Sequence, residues 1–339
     1  MTINFFIVTR FNPFIKQTYI MVNRRSFLKA SGALALGSLV LPGCSGGADN
    51  TQQDTTAAND TTSQAPAKTA QTLSIGLQLY TVRDLIDQDL KGTLQKIAAM
   101  GYKDLESVGN AKGTYYGLKP KEFTSMVEDM GMKLRSSHAL PGGQTKKEAD
   151  LPATILTLKN NTQQLVDMAA ETGQEYLVCS YLFPSEHSSF DHLKKSMAII
   201  NQAGEACKKA GIGFAFHNHE DLFETFDGKK VHEIFTAELD QNAVQYELDL
   251  YWATKAGQDP IEFFEKYPGR FPLWHVKDMA KTADKNFTEV GNGSIDFKRI
   301  FAQAQKAGMK YYFVEQDQTP GNALDSIAIS YKNLSQLLA

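Results

Sequence analysis

Residues 208–219, KKAGIGFAFHNH, set the reading of the whole chain: an amphipathic run ends at Gly211, an alternating apolar strand follows, and the strand stops on His217 and His219. Glycine ends a helix readily because it enters the left-handed backbone region without a Cβ penalty. The same unit recurs as AAMGYKDLES (98–107), EDMGMKLRSSH (128–138), AETGQEYLVCS (170–180) and KAGMKYYFVEQD (306–317), with turn glycines at 101, 131, 173 and 308. LSIGLQLY (73–80), QYELDLYW (245–252) and FPLWHVKD (271–278) complete the set. Eight strands are therefore expected, near 73–80, 103–107, 133–137, 176–180, 213–218, 245–250, 271–276 and 311–315.

Helical patterns fill the intervals. Leu90, Leu94, Ile97 and Ala98 share one face, and similar stretches lie near 159–171, 188–209 and 296–307. Strands separated by helices require right-handed crossovers and a parallel sheet covered on both faces. Eight such units between residues 71 and 339 predict an α/β fold, a closed (β/α)8 TIM barrel. A doubly wound dinucleotide fold would need a Gly-x-Gly-x-x-Gly turn after an early strand, and none is present. The glycines of GNG at 291–293 read as a loop.

Thirty-five Lys and Arg against 38 Asp and Glu leave a net charge of −3 on 339 residues, which supplies no polycationic surface and argues against sequence-blind nucleic-acid binding. Three cysteines, at 44, 179 and 207, cannot build a disulfide framework, and Cys179 reads as buried packing.

The N-terminal segment is about delivery. Residues 21–44, MVNRRSFLKASGALALGSLVLPGC, place Arg24 and Arg25 before a twelve-residue apolar run, too short to span a bilayer, which takes about 20 residues. Its layout is that of a bacterial export signal, resembling the twin-arginine type, and LPGC at 41–44 resembles a lipobox that would make Cys44 a lipid anchor on the outer side of a bacterial membrane. Residues 1–20 read as an extension ahead of the true start at Met21, and 45–70 as a flexible tether without aromatic side chains.

In a barrel the carboxyl ends of all strands meet at one mouth. Those ends carry Glu106, His138, His217 with His219, Asp249, His275 with Lys277 and Asp278, and Glu315 with Asp317. A divalent ion is the simplest reason to bring acids and imidazoles together, since crowded carboxylates otherwise repel. His217, Asp249, His275 and Glu315 can surround one ion, and mixed oxygen and nitrogen ligation suits Mn2+ or Zn2+ better than Ca2+. His219 could replace His217 as ligand, because strand alternation points both the same way. Lys277 is a candidate for polarising a substrate oxygen, Glu106 for binding substrate or pairing with a rim base, and His138 for binding the ion or shaping a substrate loop. Tyr80, Tyr181, Phe183, Tyr251 and Trp252 could wall a sugar ring, with Gln78 and Asn218 as amide contacts.

Taken together, GLQLYTVRD (76–84), GYKDLE (101–106), HNH (217–219), ELDLYW (247–252), GRFPLWHVKD (269–278), VGNGSIDF (290–297) and VEQD (314–317) resemble the xylose isomerase-like barrel superfamily, which includes sugar phosphate isomerases and epimerases and is related to the second family of apurinic endonucleases. The resemblance covers nearly all of 73–339. It implies one divalent ion held from the ends of strands five to eight, here His217, Asp249, His275 and Glu315. Many relatives carry Glu where this chain has His217, and Trp252 stands where the DNA-repair branch tends to offer His. The activity implied is metal-assisted isomerisation or epimerisation of a free sugar or keto-sugar, with Glu315 as base and His219 or Glu106 returning the proton. Elimination from a keto-sugar or oxidised glycoside is the alternative, and a non-catalytic sugar-binding lipoprotein a third. The partner expected is a small carbohydrate; oligomeric state is not encoded in any readable motif.

Overall fold

Eight parallel strands close into a barrel in a computed structural model of the chain, which describes residues 74–142, 151–226 and 228–339. The strands are β1 (Gly76–Gln78), β2 (Asp104–Val108), β3 (Lys133–Ala139), β4 (Tyr176–Cys179), β5 (Gly213–His217), β6 (Gln245–Asp249), β7 (Leu273–Val276) and β8 (Tyr311–Val314). Each pairs with its neighbours in sequence, and Gly76 of β1 opposite Phe313 of β8 closes the ring. All eight expected strands are present. The export signal, the Cys44 anchor and the tether expected over residues 1–70 lie outside the described residues.

The turn glycines behave as the repeat requires: Gly101, Gly131, Gly173, Gly211 and Gly308 all have φ between +69° and +109°. Helices such as Leu90–Met100, Leu158–Thr172 and Phe190–Lys209 cover the outside, and the first of them buries Leu94 and Ile97 against the strands while Leu90 and Ala98 lie half-buried at its margin.

The barrel interior divides in two. At the amino-terminal end it is filled by Tyr176, Val178, Ala215, Leu273 and Phe313. Glycine makes this plug possible, because a Cβ at Gly76 would stand 2.5 Å from the Phe313 ring and one at Gly213 2.3 Å from the Tyr176 ring. Above the plug, alternation turns Gln78, Glu106, His138, His217, Glu247, Asp249 and His275 inward, all buried. Barrel interiors are ordinarily stacked with branched apolar side chains. A charged upper layer therefore carries a desolvation cost that packing alone does not explain.

One irregularity sets its register. The pairing of β2 with β3 steps from Leu105 opposite Leu134 to Glu106 opposite Ser136, which leaves Arg135 as the extra residue of a bulge. Arg135 then lies at the amino-terminal end of the barrel, bonded to Asp104 and Glu175 and stacked over the Tyr311 ring, while Ser136 and His138 face the interior beside Glu106.

Candidate functional site

The strand-end side chains form two stacked layers that share a pair of imidazoles. In the outer layer, facing the mouth, His217 Nε2 lies 3.8 Å and His275 Nδ1 3.9 Å from Asp249 Oδ2, and His275 Nδ1 lies 2.6 Å from Glu315 Oε2. One ligand atom from each of His217, Asp249, His275 and Glu315 falls within 4.8 Å of the others. In the inner layer the same two rings present their other nitrogens: His275 Nε2 is 2.7 Å from Glu106 Oε1, and His217 Nδ1 is 3.1 Å from Glu247 Oε2. His138 Nε2 sits between those acids, 3.0 Å from Glu106 and 2.7 Å from Glu247.

The outer set fits a divalent ion. Asp249 Oδ2, His275 Nδ1 and Glu315 Oε2 are buried and lack a well-angled hydrogen bond, and the two oxygens already face one cation, the Lys277 ammonium at 2.9 and 2.7 Å. Two imidazoles and two carboxylates are the donor set that borderline ions accept. The inner group, His138, His217, Glu247 and His275, also lies within 4.8 Å, but His275 Nε2 is bonded to Glu106 and His138 Nε2 to Glu247, while His217 Nδ1 stands 3.1 Å from Glu247 Oε2 without a well-angled hydrogen bond.

Lys277 completes the mouth. Its Nζ is 2.9 Å from Asp249, 2.7 Å from Glu315 and 2.8 Å from Asp317, and the side chain is 1% exposed. Burial opposes its charge, but Asp249, Asp317 and Glu315 outweigh that and hold the ammonium well above its usual range. Burial likewise pushes the Glu315 carboxyl up, and Lys277 and His275 override it, keeping Glu315 ionised. Asp317 is pushed up to about 6, chiefly by burial and against the pull of Lys277.

Several expected residues take other places. Glu106 does not reach the mouth: it is fully buried beneath His275, where Gln78 Nε2 donates to Oε1 at 2.7 Å and Ser136 Oγ donates to Oε2 at 2.5 Å. His219 is outside both ligand groups, edge-on to His217 and Tyr181 at 4.8 and 4.9 Å. Burial and Lys277 lower it to about 3, so its ring is an uncharged imidazole near neutral pH. Asp278 is a loop anchor that accepts from the N–H groups of Met279, Gly291, Gly293 and Ile295, which accounts for the GNG loop. Tyr251 is buried with its hydroxyl on the Lys285 carbonyl, and Asn218 holds the Asp249 backbone; neither is a free sugar contact. Cys179 packs in the core. Sequence reasoning missed Glu247, although the alternation in ELD puts it on the same face as Asp249.

The inner layer predicts a pH dependence. Burial lowers His138, but Glu106 and Glu247 overcome it and raise it from 6.5 to about 9. A raised imidazole contributes stability that is complete below about 6.5 and is lost as pH climbs through about 9, here about 3 kcal/mol. Glu247, pushed up by burial and by Glu106, acts with the same sign. Urea unfolding of the chelator-treated chain should show stability falling across that window, and a flat profile would contradict it.

The pattern of the family described as xylose isomerase-like TIM barrel matches residues 94–333. An inosose dehydratase of Lacticaseibacillus casei is 24% identical over 260 residues, 68% of this chain and 83% of that protein. A crystal structure of a sugar phosphate isomerase/epimerase from Parabacteroides distasonis superimposes with a TM-score of 0.64 at 29% identity, covering 80% of this chain and 98% of that one. The IolI protein with a bound zinc atom superimposes at 0.60 with 14% identity, over 78% and 98% of the two chains.

Proposed function

The chain belongs to the xylose isomerase-like TIM barrel family, and from that premise we propose that its mouth is the active site of a divalent-metal-dependent enzyme that removes water from an unphosphorylated keto-sugar or keto-polyol. The observation that carries this reading is the convergence of His217, Asp249, His275 and Glu315 on one point beside the buried Lys277 ammonium. When bound there, a Mn2+ or Zn2+ ion supplies Lewis acidity that polarises a carbonyl and stabilises the charge developing on its oxygen. Glu315, kept ionised by Lys277 and His275, takes the proton from the carbon next to the carbonyl. Lys277 orients the substrate oxygens through its ammonium. Asp317, at about 6, is the acid suited to protonate a departing β-hydroxyl near neutral pH.

Elimination is preferred over epimerisation because the proton carriers gather on one side. Glu315, Lys277 and Asp317 adjoin one another at the ends of β7 and β8, whereas the β5 side presents His219, held neutral. Inversion at carbon needs a base on one face to take the proton and a charged donor on the opposite face to return one. The similarity to the inosose dehydratase of Lacticaseibacillus casei supports dehydration. Isomerisation, which one base can perform on one face, is the second reading, supported by the similarity to the sugar phosphate isomerase/epimerase of Parabacteroides distasonis. The acids already gathered on Lys277, and the export signal read at 21–44, favour a substrate without phosphate.

The test is to incubate the Mn2+- or Zn2+-loaded full chain in heavy water with a keto-inositol and with keto-hexoses. Loss of one water from the substrate is the expected result. A deuterated isomer of unchanged composition selects the isomerase, and unaltered substrate throughout overturns both.

A further inference from the structure

The inner layer bears on how the outer one binds its ion, and the inference rests on reading His217 and His275 as ligands. An imidazole offers a lone pair to a metal from one nitrogen only when the proton resides on the other, and a carboxylate accepting that N–H fixes the tautomer and raises the basicity of the ligating nitrogen. Glu106 is placed for this. Its Oε1 lies 2.7 Å from His275 Nε2, on the side of the ring opposite Nδ1, which faces Asp249 and Glu315. The carboxylate is itself immobilised by Gln78 and Ser136 and has no exposure through which a substrate could reach it.

We propose that Glu106 is a positioning residue of the metal centre: it holds His275 as the Nε2–H tautomer and so presents Nδ1 to the ion. Glu247 is placed to perform the inverted task beneath His217, whose Nδ1 lies 3.1 Å from its Oε2 though not at a hydrogen-bonding angle, with Nε2 toward Asp249. The two ligands are thus held in opposite tautomers. His138, bridging Glu106 and Glu247, ties the supports together, and the β3 bulge at Arg135 is what brings it into register with them. Because the inner nitrogens carry protons under this arrangement, the His138, His217, Glu247 and His275 group is not a second ion site.

Three measurements on the full chain test it. Imidazole nitrogen resonances of the zinc-loaded wild type should report Nε2–H for His275 and Nδ1–H for His217; the reverse tautomer on His275 overturns the proposal, and this readout needs no variant to fold. Direct titration should give one ion per chain, and two would overturn it. Glu106→Leu should bind Co2+ about 10- to 100-fold more weakly with an altered visible absorption spectrum, and Glu106→Gln, which keeps a carbonyl acceptor, should recover most of the affinity. Equal affinity and an identical spectrum in the folded Leu variant would refute the role. If the wild type binds no ion at all, it is the metal-centre reading that falls, a result distinct from tight binding that ignores Glu106.

Discussion

Asp249→Asn is expected to strip the chain of its divalent ion and lower kcat/KM about a hundred- to a thousandfold, the range that loss of a group stabilising transition-state charge produces. Asp249 Oδ2 is the oxygen that both ligand imidazoles face, at 3.8 and 3.9 Å, and it is fully buried without a well-angled hydrogen bond. An amide there offers either a neutral carbonyl or an NH2 group that repels the ion, so affinity falls with the lost charge. The fold should survive. Asp249 Oδ1 caps the following helix by accepting from the Trp252 N–H at 2.9 Å, and Asn is as good a cap as Asp. Asn218 continues to hold the backbone of residue 249, and Lys277 keeps Glu315 and Asp317. Metal content per chain, steady-state turnover and the far-ultraviolet dichroism spectrum together check this: a folded variant with full ion content and undiminished turnover would remove Asp249 from the site.

The residues tested there were legible because each ends an apolar strand. Asp249, His275 and Glu315 follow QYEL, FPLW and KYYFV, where a lone polar side chain would be expensive to bury, and strand alternation turns all three inward. The barrel itself was legible for the same reason, with five positive-φ glycines marking where helices hand over to strands. Depth was not legible. Glu106 reads as a strand end, yet β2 runs on to Val108 and leaves Glu106 beneath His275, while Asp249 is the last residue of β6 and stays at the mouth. Nor could proton-carrying capacity be read at His219, since it depends on burial and on Lys277, which lies two strands further along the chain. Glu247 lay within reach of the alternation rule; its role as support becomes visible only when three imidazoles are found around one oxygen.

Lys277→Met should destabilise the metal-free chain by about 3–5 kcal/mol, yet bind the divalent ion more tightly than the wild type. Three carboxylates surround the ammonium at 2.7 to 2.9 Å, and removing it leaves Asp249, Glu315 and Asp317 mutually repelling in a site from which water is largely excluded. Methionine fills much of the volume, so the loss is electrostatic and not a cavity effect. The same change removes a positive charge that contacts two of the expected ligand oxygens, and the ion no longer competes with it. Binding to the folded state stabilises by RT ln(1 + [L]/Kd), about 2.7 kcal/mol at a hundredfold excess over Kd, so saturating Mn2+ should recover most of the deficit. Turnover should remain low, since the neutral thioether cannot orient substrate oxygens. Urea unfolding with chelator and with Mn2+, joined to direct titration of the ion, separates the effects. If the variant is destabilised equally under both conditions, or if its ion affinity is unchanged, Lys277 and the ion do not share the oxygens of Asp249 and Glu315.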